Sequence, residues 1–240
     1  MDIASQIIYE DNHLIAINKQ VGQIVQGDKS GDECLCDAIK HFIKVRDAKP
    51  GNVFCGVIHR LDRPVSGAVI FAKTSKALSR MNGIVKGRDF HKTYWAACKD
   101  APKDPQGRLE NWLLRDESKN KSFIVSPQEP IGDGIDARGA RKAILDYKLI
   151  ALTQGGYHIL EIDLHTGRHH QIRCQLAHMG CPIKGDLKYG AQRSNPDGGI
   201  SLHSRKICFD HPIKHCPIEI VAPAPALFLS AEQMIDEGAQ

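Results

Sequence analysis

Asp62 stands in the polar stretch His59-Arg60-Leu61-Asp62-Arg63, with an arginine on either side and Pro64 and Gly67 just beyond. Neighbouring cations favour the ionised carboxylate, although an aspartate between arginines, taken alone, is more often half of a structural ion pair. Tyr94 sits in the alternating run HKTYWAACK, where a core tyrosine is the default. A third group is Thr166-Gly167-Arg168-His169-His170-Gln171-Ile172-Arg173, at a loop-to-helix junction. A helix N-terminus with added cations can receive phosphate, which fits a polyanionic ligand. The same segment also allows a metal-dependent hydrolase built on His165, His169 and His170. Against it, adjacent residues on a helix point to different sides, so His169 and His170 should not converge on one ion. Cys34 and Cys36 lack the two-residue gap of common zinc sites and have no matching second pair, so no structural metal is expected.

Charge along the chain agrees with a polyanion. The formal net charge is only +4, but residues 56–99 hold nine Lys and Arg against Asp62 and Asp89. Residues 165–193 hold five against the single Asp186, whereas residues 217–240 hold four acids and no Lys or Arg. Two basic stretches could form one binding face, or two solvated surfaces. With 42% hydrophobic and 25% charged residues the composition is that of a globular protein. No apolar run approaches the roughly 18 residues of a membrane span, and the first residues have neither the basic start nor the apolar stretch of a signal peptide. A cytoplasmic protein with reduced thiols is expected.

The elements that must hold these residues read as follows. IIYEDNHLIAINK gives two short strands about an Asp11-Asn12 turn, and residues 20–32 a loop. Leu35, Ile39, Phe42 and Ile43 mark an amphipathic helix that ends before Pro50. HRLD lies in a loop between strands, followed by the apolar strand AVIFAK. Ser75 caps a helix with Leu78, Met81 and Val85 on one face, leaving Lys76, Arg80 and Lys86 to water or ligand. HKTYWAACK is a strand. Residues 100–142, with four prolines and repeated glycine, predict short strands joined by long connections. AILDYKLIAL and YHILEIDL form two strands with one buried face. HHQIRCQLAHMG is a helix with an Ile172, Leu176, Met179 stripe that stops at Gly180. ISLHSRKICF and IEIVAP are two more strands. Without regular βαβ alternation or a linker, the pattern predicts one α+β domain over 1–240 on a largely antiparallel mixed sheet with flanking helices.

HRLDRPVSGAVIFAKT, KTYWA, LHTGRHHQIRCQLAHMGCPIKGDLKYG and SLHSRKICFDHP occur in this order between about Ile7 and Pro225. In them the chain resembles the RluA-type pseudouridine synthases, which isomerise selected uridines in ribosomal or transfer RNA. The resemblance implies cleavage of the bond from uracil N1 to ribose C1′, rotation of the base, joining of C5 to C1′ and loss of the C5 proton. That chemistry needs a placed carboxylate and a grip on the detached base, with no metal and no redox cofactor. Asp62 matches the essential aspartate, and Arg173 the arginine that pairs with it. Tyr94 matches the tyrosine that stacks on the base and whose hydroxyl is a candidate for the final deprotonation. Leu202 is the apolar residue for the other side of the base, and Arg60 the residue that fills the space of a turned-out uridine. His59, Arg63, Arg168 and His170 are assigned to substrate or phosphate contacts.

Two departures stand out. Val65 replaces the family's threonine in Thr-Ser-Gly, and Lys19-Gln20 replaces its Lys-Pro. No separate basic RNA-binding domain precedes the catalytic segment, so the resemblance implies a stand-alone catalytic domain. Its partner would be an rRNA or tRNA stem-loop, with no DNA or membrane, and with no heptad run it would act as a monomer. An RNA-binding or ribosome-assembly protein with this fold and little catalysis is the alternative, which the intact set of Asp62, Tyr94 and Arg173 opposes.

Overall fold

Along the chain run β1 (Ile7–Glu10), β2 (Leu14–Lys19), α1 (Leu35–Arg46), β3 (Gly56–Val57), β4 (Ser66–Ala72), α2 (Ser75–Gly87), β5 (His91–Cys98) and β6 (Gln106–Asp116). They continue as β7 (Lys121–Val125), β8 (Arg141–Leu152), β9 (His158–Leu164), α3 (Gln171–His178), β10 (Leu202–Asp210) and β11 (Pro217–Val221). This is a computed structural model, and it describes residues 1–27, 31–127, 134–136 and 138–232. Two compact units emerge, one of Met1–Lys92 with His203–Pro223, the other of Thr93–Leu202 with the described residues from Ala224 on.

In the first unit β1 and β2 form the expected hairpin because Asp11 organises its turn, the Oδ1 accepting from the amides of His13 and Leu14 at 2.8 Å each. β2 pairs antiparallel with β4 from Leu14↔Ala72 to Lys19↔Gly67. β4 pairs parallel with β10 at His203↔Ser66 and Ser204↔Gly67, and β11 closes against β10. Every residue of β4 is buried, as a strand covered on both faces requires. Leu14, Ile70, Met81, Phe90 and Ile207 meet in its core under α2. The N-cap of α2 is Thr74 rather than Ser75, its hydroxyl accepting from the Ala77 amide at 3.1 Å.

In the second unit the strand order is β5-β9-β8-β6-β7, antiparallel throughout. Here one expectation fails. Residues 100–142 hold the eleven-residue strand β6, paired with β8 from Gln106↔Lys148 to Leu113↔Arg141 and with β7 from Trp112↔Val125 to Asp116↔Lys121. β6 is half-exposed along most of its length, so its residues are mainly polar and the apolar signal of a strand is weak. α3 packs against β6 and β7 and is buried from Gln171 to Leu176, on every side rather than along one stripe. Met179 lies past its end.

Candidate active site

The first unit presents Asp62 on the connection 58–65 between β3 and β4, which pair antiparallel at Gly56↔Ala72 and Val57↔Phe71. The loop's shape is imposed from beneath. Ile58, Leu61 and Val65 are buried, while Arg60 and Arg63 are exposed and Asp62 is half-buried. The Val65 amide bonds the Asp62 carbonyl at 3.0 Å, closing a turn across Arg63-Pro64. Below this turn lies Lys19, 0% exposed, whose ammonium donates to the carbonyls of Val65 (2.5 Å), Arg63 (3.1 Å) and Gln20 (3.1 Å). Burial pushes the Lys19 pKa down to about 7, opposed by the charge of Asp62. The only sequence sign of this role was a lysine at the end of the apolar strand LIAINK, seen as half of a motif that had lost its proline.

Beyond the loop the chain is pinned twice more. Ser66 and His203 meet at 2.8 Å, both buried, and His203 Nε2 lies 3.5 Å from the Ala222 carbonyl. A carbonyl only accepts, so Nε2 carries the proton and the Ser66 hydroxyl donates to Nδ1. Burial holds the His203 pKa down to about 4, which keeps the ring neutral. Gly67 follows at φ +112°, and a Cβ there would stand 2.3 Å from the Ser204 carbonyl oxygen. Only glycine allows β4 and β10 to approach this closely.

His59 does not present a free ring to a ligand. Its Nε2 accepts from the Ile70 amide of β4 at 3.1 Å, and burial lowers its pKa to about 3. It fastens the start of the loop to the strand. Arg63 pairs with Asp32 at 2.8 Å, both side chains about half exposed, a pair worth at most about 1 kcal/mol and readily exchanged for phosphate.

The second unit holds the other assigned residues. Tyr94 is 5% exposed in β5, where it pairs with Ile162 of β9, and Leu202, at the start of β10, is 4% exposed. Arg173, in α3, is buried and binds Asp186 through two bonds, Nε to Oδ2 at 2.7 Å and Nη2 to Oδ1 at 2.8 Å. A fork-to-fork pair of this kind fixes the guanidinium plane. Asp186 had been seen only as the lone acid of a basic stretch. Arg168 donates from Nε to the Lys142 carbonyl at 2.9 Å, and its amide donates to the Gln171 side chain at 3.0 Å. Gln171 also accepts from the Thr166 hydroxyl and donates to the Ile144 carbonyl, so the TGRHHQ turn is tied to β8.

His170 takes the left-handed conformation, φ 52°, at the entry to α3. This turns its ring onto that of His169, with centroids 3.8 Å apart and planes 23° from parallel. The expectation that these neighbours must diverge is therefore corrected: it assumed helical phase, and His170 lies just outside the helix. His170 is buried, its Nδ1 is 3.1 Å from the Tyr189 hydroxyl, and burial followed by the Arg173 charge pushes its pKa down to about 2. His169 bonds Ser122 and Asn120, and His165 bonds Asp146 at 2.6 Å. Among the described residues no group of three or more His, Cys, Asp or Glu could hold a metal ion.

These loops and strands carry the motif segments of a known family. The family model described as RNA pseudouridylate synthase matches residues 13–178. The ribosomal large subunit pseudouridine synthase D of Xylella fastidiosa is 31% identical over 238 residues, covering 93% of this chain and 67% of that protein. A ribosomal large subunit pseudouridine synthase C of Buchnera aphidicola is 32% identical over 229 residues, covering 92% and 68%. Among solved structures, human RNA pseudouridylate synthase domain containing 4 superposes with a TM-score of 0.77 at 22% identity, over 98% of this chain and 94% of that one. The chain belongs to the RNA pseudouridylate synthase family, whose members are isomerases. No helix among the described residues is long and apolar enough to cross a membrane.

Proposed function

We propose that this protein converts uridine to pseudouridine in ribosomal RNA, with Asp62 as the catalytic carboxylate. One observation carries the reading: Asp62 rides on a loop whose backbone carbonyls are held by the buried Lys19 and whose far end is anchored by the Ser66–His203 pair, which supports a carboxylate positioned before substrate arrives. The ribosomal target follows the printed names of the relatives. In the reaction the N1–C1′ bond breaks, the base turns, C5 bonds to C1′, the C5 proton leaves and N1 gains one. Tyr94 supplies the ring against the base and a hydroxyl for that last proton. Arg173 is assigned by resemblance to keep the carboxylate ionised, with Leu202 as the second apolar wall. Arg60, exposed and two residues before Asp62, takes the place of the turned-out uridine. Arg63 and Arg168 serve phosphate, while His59 acts through the Ile70 amide it holds and His170 through its contacts with Tyr189 and His169. We read the protein as working as a single chain in the cytoplasm.

Mapping pseudouridines in total RNA from cells with and without the gene tests this, with rescue by wild type and by Asp62→Asn. Sites in large-subunit rRNA should vanish and return only with wild type. Sites confined to tRNA would overturn the ribosomal target, and rescue by Asp62→Asn would overturn the role of Asp62.

A further inference from the structure

The second unit carries a row of alternating cations and rings that, beyond its first member, the reaction does not use. It starts at Arg173, whose guanidinium carbon lies 5.1 Å from the centroid of the Tyr189 ring. Lys121 Nζ follows, 4.9 Å from Tyr189 and 5.4 Å from Phe123, and Lys119 Nζ ends the row 5.7 Å from Phe123. At the α3 end the residues are buried, while Phe123 is 38% exposed on β7. An open cleft of about 450 Å³ lies at the middle of the row, lined by Lys121, Phe123 and Tyr189 together with Ile124, Ala177 and His178.

The platform is rigid where it matters. Ser122, next to Phe123, is 2% exposed; its amide donates to the Tyr189 hydroxyl at 2.8 Å and its hydroxyl to the His169 carbonyl at 2.7 Å. Phe123 itself pairs with Leu114 of β6. Charge at this end is cationic. Lys188 reaches the Asn120 carbonyl at 3.0 Å and so stands beside the same turn as Lys119 and Lys121. Of the nearby acids, Asp116 is engaged in the turn, accepting from Ser118 and the Lys119 amide, with Lys119 Nζ at 3.5 Å, and Glu117 faces Arg115 at 3.8 Å. An exposed ring on a fixed strand, with several ammonium groups around it, matches what a single-stranded nucleic acid needs: a face for a base and cations for its phosphates.

We propose that the β6–β7 hairpin is a second RNA contact, taking an unpaired nucleotide of the substrate outside the reacting uridine. Its base stacks on Phe123, and its phosphates lie along Lys119, Lys121 and Lys188. This rests on the reading of the protein as an RNA-modifying enzyme, and it gives that enzyme a preference for substrates with a single-stranded flank.

The test measures binding of the full chain to fluorescein-labelled decauridylate and to a labelled RNA duplex of equal length, across a salt series. Phe123→Ala should weaken decauridylate binding about tenfold and duplex binding less than twofold, and Phe123→Trp should restore the wild-type value. Lys121→Gln should lower the salt slope for decauridylate by somewhat under one unit. Circular dichroism and the thermal midpoint check folding, and if Phe123→Ala is misfolded, the tryptophan and Lys121→Gln variants decide alone. Decauridylate binding by Phe123→Ala within twofold of wild type, or equal loss on both RNAs, would overturn the second contact. Asp62→Asn separates the two readings: its loss of isomerisation with intact decauridylate binding supports the enzyme reading whatever Phe123 does.

Discussion

Replacing Lys19 by methionine separates holding the catalytic loop from holding the fold. Methionine keeps most of the volume and removes three charge-assisted hydrogen bonds, to Val65, Arg63 and Gln20. At about 1.5–3 kcal/mol each these sum to roughly 5–9 kcal/mol. Against this, a pKa brought from 10.5 to about 7 shows that holding the ammonium in the interior costs on the order of 5 kcal/mol. The two effects nearly cancel. Lys19→Met should therefore change global stability by no more than about 4 kcal/mol, while the Asp62 loop loses what fixes its turn. The carbonyls of Arg63 and Gln20 keep the amides of Gly22 and Gln23 as donors, so the loosening falls mainly on Val65, three residues from Asp62. Single-turnover isomerisation should fall at least tenfold, with RNA affinity within about threefold of wild type, and amide exchange over residues 60–66 should speed up. The pH dependence adds a second readout. The folded pKa lies below the unfolded one, so the unfolded state binds the extra proton between about pH 7 and 10.5, and Lys19 makes stability rise with pH across that window. In Lys19→Met this component should disappear. Turnover within twofold of wild type, or a rate loss that only follows the fraction unfolded, would refute the clamp.

Gly67→Ala should be far more damaging than a usual surface change, at least about 3 kcal/mol by urea denaturation, because the new Cβ meets the Ser204 backbone at 2.3 Å in a left-handed conformation. His203, His59 and His170 are all held neutral, with pKa values lowered to about 4, 3 and 2. Their contribution is complete above the unfolded value near 6.5 and is lost as pH falls toward the folded values, so the unfolding free energy from urea denaturation should drop steeply between pH 6.5 and 4, by on the order of 3 kcal/mol for His203 alone. A Ser66→Ala, His203→Phe pair should flatten that drop. Tyr94→Phe keeps the ring, so substrate should be bound and its base detached while release of the C5 proton stalls; a tritium-release assay at C5 with a normal rate would remove the hydroxyl from the chemistry.

The loop at Asp62 was legible because three kinds of signal agreed: polar residues, Pro64 and Gly67 as breaks, and an apolar strand on the far side. The β1–β2 hairpin was legible because Asp11 both breaks the strand and bonds the turn. β6 was not, since QGRLENWLLRD has polar residues on a strand that needs little burial, and its partners in β8 lie 28 to 42 residues away, from Leu113↔Arg141 to Gln106↔Lys148. The clamp by Lys19 was hidden for another reason. A lysine's burial depends on which carbonyls the fold brings to it, and Arg63 and Val65 are more than forty residues distant. His170 misled because a single left-handed residue resets the helical phase that the divergence of its ring from His169 assumed.

A pattern links these cases. Many of the polar side chains in and around the motif segments are spent on holding the chain: Lys19 on three carbonyls, His59 on the Ile70 amide, Arg168 on the Lys142 carbonyl, Gln171 on the Arg168 amide, the Ile144 carbonyl and the Thr166 hydroxyl, and Ser66 on the His203 ring. Buried polar groups earn their place only when satisfied, and when satisfied they hold one conformation against its alternatives. Isomerising a base in place asks for this economy. The detached uracil must be kept while it turns, so each group that acts on it has to hold its conformation through several steps. On the reading proposed above, the long polar motifs are mostly scaffolding written in side chains, and what is left for the RNA is the exposed Arg60 and Arg63 on the loop and, beside Phe123, the exposed Lys119 and Lys188 with the half-buried Lys121.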